Sequence, residues 1–195
     1  MKNHKPYITT YVHSAESIDI AINAGADHLI IDHPLLSVRS WIPVISELQT
    51  IKMCIKTIQQ TSPHILISVN VDLIVHQEDM RLCEEVATLL SDEKIHSIRI
   101  QDVGLIPFFS KRCPHIKLTY VQEIGNANSL SIQTFTKSVF AQQLSLDLTY
   151  KDVLSIQEKV AGNYEWLVQG PILIQHSKRR FMAGLDESSS QSDRS

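Results

Sequence analysis

The chain has 195 residues, of which 43% are hydrophobic and 20% charged, with 18 Lys and Arg against 21 Asp and Glu. That balance excludes collagen-like, disulfide-framework and wholly disordered chains, and a formal charge of −3 with a pI near 6.3 leaves no global electrostatic footprint for nucleic acid. The length favours one domain with a sizeable core. No run of about 20 apolar residues is present to span a bilayer. The opening Met1-Lys2-Asn3-His4-Lys5-Pro6 lacks the apolar stretch of a secretory signal, and the cysteines, Cys54, Cys83 and Cys113, are odd in number and far apart. A cytoplasmic protein with reduced thiols is the expectation.

Short apolar runs alternate with longer segments of helical period, the signature of βαβ units. Tyr7 to Val12 reads as a first strand. A helix opens after Ser14, a suitable N-cap, carries Ile18, Ala21 and Ile22 on one face, and stops at Gly25. His28 to Ile31 is a second strand running into Asp32-His33-Pro34. From Pro43 to Gln60, Val44, Ile45, Leu48, Ile51, Ile55 and Ile58 recur at helical intervals, with Pro43 suited to the first turn. Ile65 to Val69 is a third strand, and Gln77 to Leu90 a helix with Met80, Cys83, Val86, Ala87 and Leu90 inward.

Ile98-Arg99-Ile100 is a fourth strand leading into Asp102-Val103-Gly104, followed by a short helix from Ile106 to Ser110. Ile116 to Val121 is a fifth strand, Asn126 to Phe135 a helix, Val139 to Leu144 a sixth strand and Tyr150 to Val160 a helix. Trp166-Leu167-Val168 reads as a seventh strand, and Ile172 to Ile174 as the start of an eighth. Residues 1–184 are expected to form one domain and residues 185–195, polar from Asp186 onward, a disordered tail. About seven strands with helices between them make an α/β fold with a parallel sheet, wound open or closed into a barrel. Periodicity does not choose between the two. The first turn, Tyr11-Val12-His13-Ser14, lacks the glycines of a dinucleotide site, and six glycines in all argue against phosphate loops.

In parallel α/β folds ligands bind at the carboxyl ends of the strands. Those ends carry His13, Asp32 with His33, Asn70 with Asp72, Gln101 with Asp102, Gln122 with Glu123, Gln142 with Gln143, and Gln169. On a closed barrel they form a polar ring able to orient a polar ligand, although strand ends lead into loops that are polar in any case. His13, Asp32, His33 and Asp72 are metal-ligand types, but no paired ligand spacing accompanies them and no metal site is expected. Cys54 and Cys83 fall on apolar helix faces, where cysteine behaves as a small hydrophobe. Ser177-Lys178-Arg179-Arg180, with Phe181 beside it, reads as a solvated charge run, or as a contact for phosphate or an acidic partner.

Five strings follow one another along the chain: Ala21-Ile22-Asn23-Ala24-Gly25-Ala26-Asp27, Ser68-Val69-Asn70, Gln101-Asp102-Val103-Gly104-Leu105-Ile106, Pro114-His115-Ile116, and Tyr120-Val121-Gln122 with Asn126 or Asn128 after it. Taken in order, they resemble the collagenase-like peptidase family U32. The similarity runs over most of Ser14 to Ile174. Members include proteins of oxygen-independent ubiquinone hydroxylation and of tRNA or ribosomal RNA hydroxylation. This chain departs from the family pattern in three places. Tyr11-Val12-His13 stands where Pro-Ala-Gly is usual, and Leu146-Asp147 where an Arg-Glu pair follows the sixth strand. Leu173 and Arg180 stand where cysteines of the iron–sulfur cluster would be.

The resemblance implies a (β/α) TIM-barrel-like fold, incomplete at this length, and a rim that keeps Asp32, Asn70, Asp102 and Gln122. His13 and Asp147 are the further substrate-binding candidates. It implies no cluster, and no cofactor is expected. The role to which these departures point is a binding or partner subunit, beside a cysteine-bearing relative or self-associated, with a small polar ligand and no nucleic acid. The alternative is an enzyme of the same family, either a peptidase or an oxygen-independent hydroxylation factor acting on a quinone precursor or an RNA base. For a peptidase, no serine, cysteine or metal constellation with recognisable mechanics is visible in the sequence.

Overall fold

The computed structural model describes residues 6–39, 48–91, 93–122 and 124–170. Its strands are β1 (Thr9–Val12), β2 (His28–Asp32), β3 (Leu66–Val71), β4 (Ser97–Ile100), β5 (Lys117–Tyr120), β6 (Ala141–Gln143) and β7 (Asn163–Glu165). Its helices are α1 (Ala15–Asn23), α2 (Leu48–Thr61), α3 (Met80–Leu90), α4 (Leu105–Arg112), α5 (Ser129–Phe135) and α6 (Tyr150–Lys159). All strand pairs are parallel, and the sheet order is the chain order, β1 to β7.

That order settles the choice the periodicity left open. When every crossover steps to the next strand in the same direction, right-handed connections leave all the helices on one face, and the sheet curls around the other. On a flat sheet β4 and β7 would lie about 14 Å apart. Arg99 on β4 nevertheless forms an ion pair with Glu165 on β7. Over the described residues the fold is an α/β half-barrel of seven parallel strands, an incomplete TIM-barrel-like architecture.

Alternation along the strands divides the side chains between the two faces. Leu29, Ile31, Ile67, Val69, Val71, Ile98, Ile100, Leu118 and Tyr120 turn outward and bury against Ile51, Ile55, Ile58, Cys83, Val86, Leu90, Leu105 and Phe109 of the helices. Ile51, Ile55 and Ile58 keep one face of α2 apolar, so a single stripe of that helix enters the core. A smaller cluster of Ile132, Leu144, Val153, Ile156 and Val160 packs α5 and α6 against the far end of the sheet.

The inner face is polar. Thr9, His28, Ser68, Ser97 and Thr119, one from each of β1 to β5, form a continuous hydrogen-bonded chain across the barrel interior. His28 Nδ1 lies 3.3 Å from Thr9 Oγ1 and its Nε2 2.7 Å from Ser68 Oγ. Ser68 and Ser97 are joined at 2.6 Å, and Thr119 Oγ1 donates to Ser97 Oγ at 3.1 Å. Burial pushes the His28 imidazole down to about 4, so at neutral pH it is uncharged and bonds as donor on one nitrogen and acceptor on the other.

Local signals place most of the elements. Ser14 accepts from Ser17 N and caps α1 in a reciprocal box with Ser17, and Gly25 takes a φ of +92° where the chain leaves the helix. Asn128 and Thr149 cap α5 and α6. The expected helix from Asn126 begins only at Ser129, because Asn126 adopts a left-handed φ of 51°. The expected helix from Gln77 starts with a 3-10 turn, Gln77–Asp79, ahead of α3.

The seventh strand is a correction. It is Asn163–Glu165, and Trp166-Leu167-Val168 lie beyond it. The register Gln142↔Tyr164 and Gln143↔Glu165 places Tyr164 toward α6, where its hydroxyl donates to Val160 O at 2.6 Å. Trp166 joins the smaller cluster, while Val168 is 86% exposed. Apolar composition marked the wrong triplet, because this inner face accepts Asn163 and Glu165 in place of hydrophobes. The first turns expected from Pro43, the eighth apolar piece, the basic cluster at 177–180 and the tail all lie outside the described residues.

Candidate functional site

The carboxyl ends of β2 and β3 bring Asp32 and Asn70 side by side, as partners in the parallel register. Asp32 Oδ1 accepts from Asn70 Nδ2 at 2.7 Å and from the Ser37 hydroxyl at 2.8 Å. Asn70 Nδ2 also approaches Ser37 Oγ at 3.3 Å. The other oxygen of each side chain, Asp32 Oδ2 and Asn70 Oδ1, is buried and has no hydrogen-bond partner among the described residues. Asn70 itself is 0% exposed. Burial pushes the Asp32 carboxyl up, against the hydrogen bonds from Asn70 and Ser37 that lower it. Two acceptor atoms left unmatched in the interior are costly, and such groups generally find water or a ligand.

Two guanidinium groups flank this corner. Arg39, from the loop after β2, pairs with Asp72 at 3.1 Å and lies 4.4 Å from the centre of the Tyr11 ring. Asp72 Oδ1 also accepts from Val38 N at 2.9 Å, which holds that loop against β3. Arg99 on β4 is 2% exposed, bonded to Glu165 and, through Nη2, to Gln143 Oε1 at 2.9 Å. Desolvation opposes its charge, but Glu165, through charge and hydrogen bond, and Asp72 outweigh it and keep the guanidinium protonated. Burial raises the Tyr11 phenol despite both arginines, so the ring stays neutral.

The residues marked in the sequence separate into groups. Asp32 and Asn70 meet directly. Asp102 does structural work between two loops: Oδ2 accepts from Val75 N at 3.0 Å and Oδ1 from Gly104 N at 2.8 Å. Gln122 accepts from the Tyr120 hydroxyl at 3.2 Å and folds over Gly125, where a Cβ would meet its amide at 2.0 to 2.5 Å. His13 joins the turn into α1 through its backbone N–H on Ser17 Oγ, and Asp147 is exposed in the turn after β6 with its N–H on Ser145 Oγ. No hydrogen bond among the described residues ties His13, Gln122 or Asp147 to the Asp32–Asn70 corner. His33 uses Nδ1 to accept Leu35 N and Leu36 N, and burial lowers it to about 4.

Arg39, Arg99 and Glu165 were not among the sequence candidates. Arg99 had a signal, since Ser97-Ile98-Arg99-Ile100 alternates polar and apolar with period two, as Ser68 to Val71 does. In a strand covered by helices on one face, that alternation directs the charge to the barrel interior. Glu165 was hidden because the apolar triplet that marks the strand begins just after it. Arg39 lies in a loop and carries no periodic mark.

The iron–sulfur cluster does not fit the donors present. The chain holds three cysteines, and each sits in the helical layer, away from the strand ends. Cys83 and Cys113 are fully buried in the main core, Cys113 against Ala87 O, and burial raises the thiols of Cys54 and Cys113. A cluster takes thiolates converging from several positions, and no group of three or more His, Cys, Asp or Glu among the described residues is arranged to hold a metal ion. No described helix is long and apolar enough to cross a membrane.

A curled sheet of parallel strands with helices outside and a polar mouth at the strand ends defines a protein of the (β/α)-barrel class. The profile of peptidase family U32 matches residues 13–194, nearly the whole chain. The chain therefore belongs to peptidase family U32. Among solved structures it is similar to a chain from Aquifex aeolicus VF5, described only as the subject of a structural study. The TM-score is 0.57 and the identity 11%, over 78% of this chain and 68% of that one, a likeness of fold. No curated protein matches the chain.

Proposed function

We propose that this chain is a binding member of family U32: it holds a small polar ligand in the mouth of its half-barrel and works beside a second chain in the cytoplasm. The observation that carries the reading is the pair of buried, unmatched oxygens, Asp32 Oδ2 and Asn70 Oδ1, on adjacent strands at the ligand-binding end of the fold. Beside that corner Arg39 is ion-paired with Asp72 and stacked on Tyr11, and Arg99 is ion-paired with Glu165, which suits recognition by hydrogen bonds more than attack on a substrate. Among the described residues β1 and β7 each pair on one side only, which supports a second chain, a cysteine-bearing relative or another copy, as neighbour.

Purification of the tagged chain from its native cell under anaerobic conditions, followed by native mass spectrometry, tests both halves. The expected result is a stoichiometric complex with such a relative or a second copy, and a small molecule released on denaturation. A bare monomer carrying no adduct would overturn the reading. A partner that brings iron would make this chain the cluster-free half of a hydroxylation complex.

A further inference from the structure

The charges at the mouth do not cancel, and the remainder defines the ligand. Of the groups that the described residues bring to the inner face there, Arg39 is matched by Asp72, and Arg99 by Glu165. Among the described residues no cation is hydrogen-bonded to Asp32: its bonded oxygen is held by an amide and a hydroxyl, both neutral donors, and Arg39, whose charge reaches it, bonds to Asp72 instead. Its second oxygen and Asn70 Oδ1 therefore present two acceptors in a buried corner, with a negative charge when Asp32 is ionised. Acceptors alone are complementary to N–H donors, and a desolvated carboxylate is complementary to a donor that is also charged.

We infer that the Asp32–Asn70 corner receives an organic cation, the amidinium or primary ammonium group of the bound molecule, with one N–H on Asp32 Oδ2 and another on Asn70 Oδ1. This deepens the proposed function and rests on its binding reading. The cation also reverses the effect of burial on Asp32, whose carboxyl is pushed up in the free protein. The fork of an amidinium matches two acceptors on neighbouring strands, whereas an ammonium meets them as a point charge. Ser37 and Asn70 Nδ2 keep the carboxylate from rotating away, so the corner is organised before the ligand arrives.

The test uses the full chain and two near-isosteric probes, acetamidinium and acetamide, titrated while the side-chain amide resonance of Asn70 is followed by NMR. Methylammonium separates the fork from the point charge. The expected result is a saturable shift with acetamidinium at an affinity about tenfold or more above acetamide, with the preference lost in Asp32→Asn. The wild-type comparison stands by itself if that variant fails to fold. Methylammonium binding between the two assigns the gain to the second N–H, and binding equal to acetamidinium assigns it to charge alone; either supports the cation. Equal binding of acetamide and acetamidinium would overturn the inference while leaving a neutral ligand at the site. No shift with any probe would also overturn it, water then completing the two bonds, and the ligand found by native mass spectrometry would have to be held elsewhere.

Discussion

Arg99 shows how one residue can hold a curled sheet together. Its guanidinium leaves β4, crosses the interior and bonds to Glu165 on β7 and Gln143 on β6, so three strands share one side chain. Breaking a buried pair from one side leaves the partner's charge uncompensated, which costs more than the pair contributes. Arg99→Met should lower stability by about 3 kcal/mol in urea denaturation, and Arg99→Lys should recover only part, because one ammonium cannot reach both acceptors as a fork. Unchanged stability in Arg99→Met would show that the pair holds nothing. The residue was legible in principle, from the alternation around it. Its partner was not, because Glu165 lies 66 positions away and only the curl of the sheet joins the two.

At the scale of elements, the seam between β5 and β6 is the shortest pairing in the sheet, two residue pairs against five between β2 and β3. Beyond it β6, α6 and β7 rest on a separate small cluster of five buried hydrophobes. Elements with few buried contacts open at lower free energy than the core. Native-state hydrogen exchange should find the amides of β6, α6 and β7 about tenfold or more less protected than those of β2 to β4, and Arg99→Met should widen the gap. Uniform protection across the sheet would mean a single cooperative unit. Strands β3 to β5 were legible because outward apolar residues alternate with inward polar ones between clear turns, and β2 because the short apolar run Leu29-Ile30-Ile31 is bounded on both sides. β7 was misplaced by one strand length, since its inward residues are Asn163 and Glu165 and its apolar neighbours lie just outside.

For the whole molecule, a polar interior ties folding to pH. Burial holds His28 and His33 at about 4 in the folded chain, against 6.5 for a free imidazole, so the unfolded chain binds more protons over that interval. Their contribution is fully present above about pH 6.5 and is lost as the pH falls toward 4, roughly 3 kcal/mol for each. Asp32, pushed the other way, opposes this in part. Urea midpoints measured from pH 7.5 to 4.5 should hold nearly level down to about pH 6.5 and fall below it, and His28→Gln should flatten that fall by about one proton. A flat profile would show that the imidazoles titrate as freely in the folded chain as outside it. The α/β class, the alternation of strand and helix, and the placing of Asp32 and Asn70 at strand ends were all determined by the sequence, because hydrophobic period and turn residues act over a few positions. Only the tertiary structure decided that the sheet curls, that Asp32 and Asn70 share a corner while His13 and Asp147 stay apart, and that Arg39 and Arg99 flank it. Those relations depend on the direction of each crossover and on partners tens of residues distant, which no local pattern encodes.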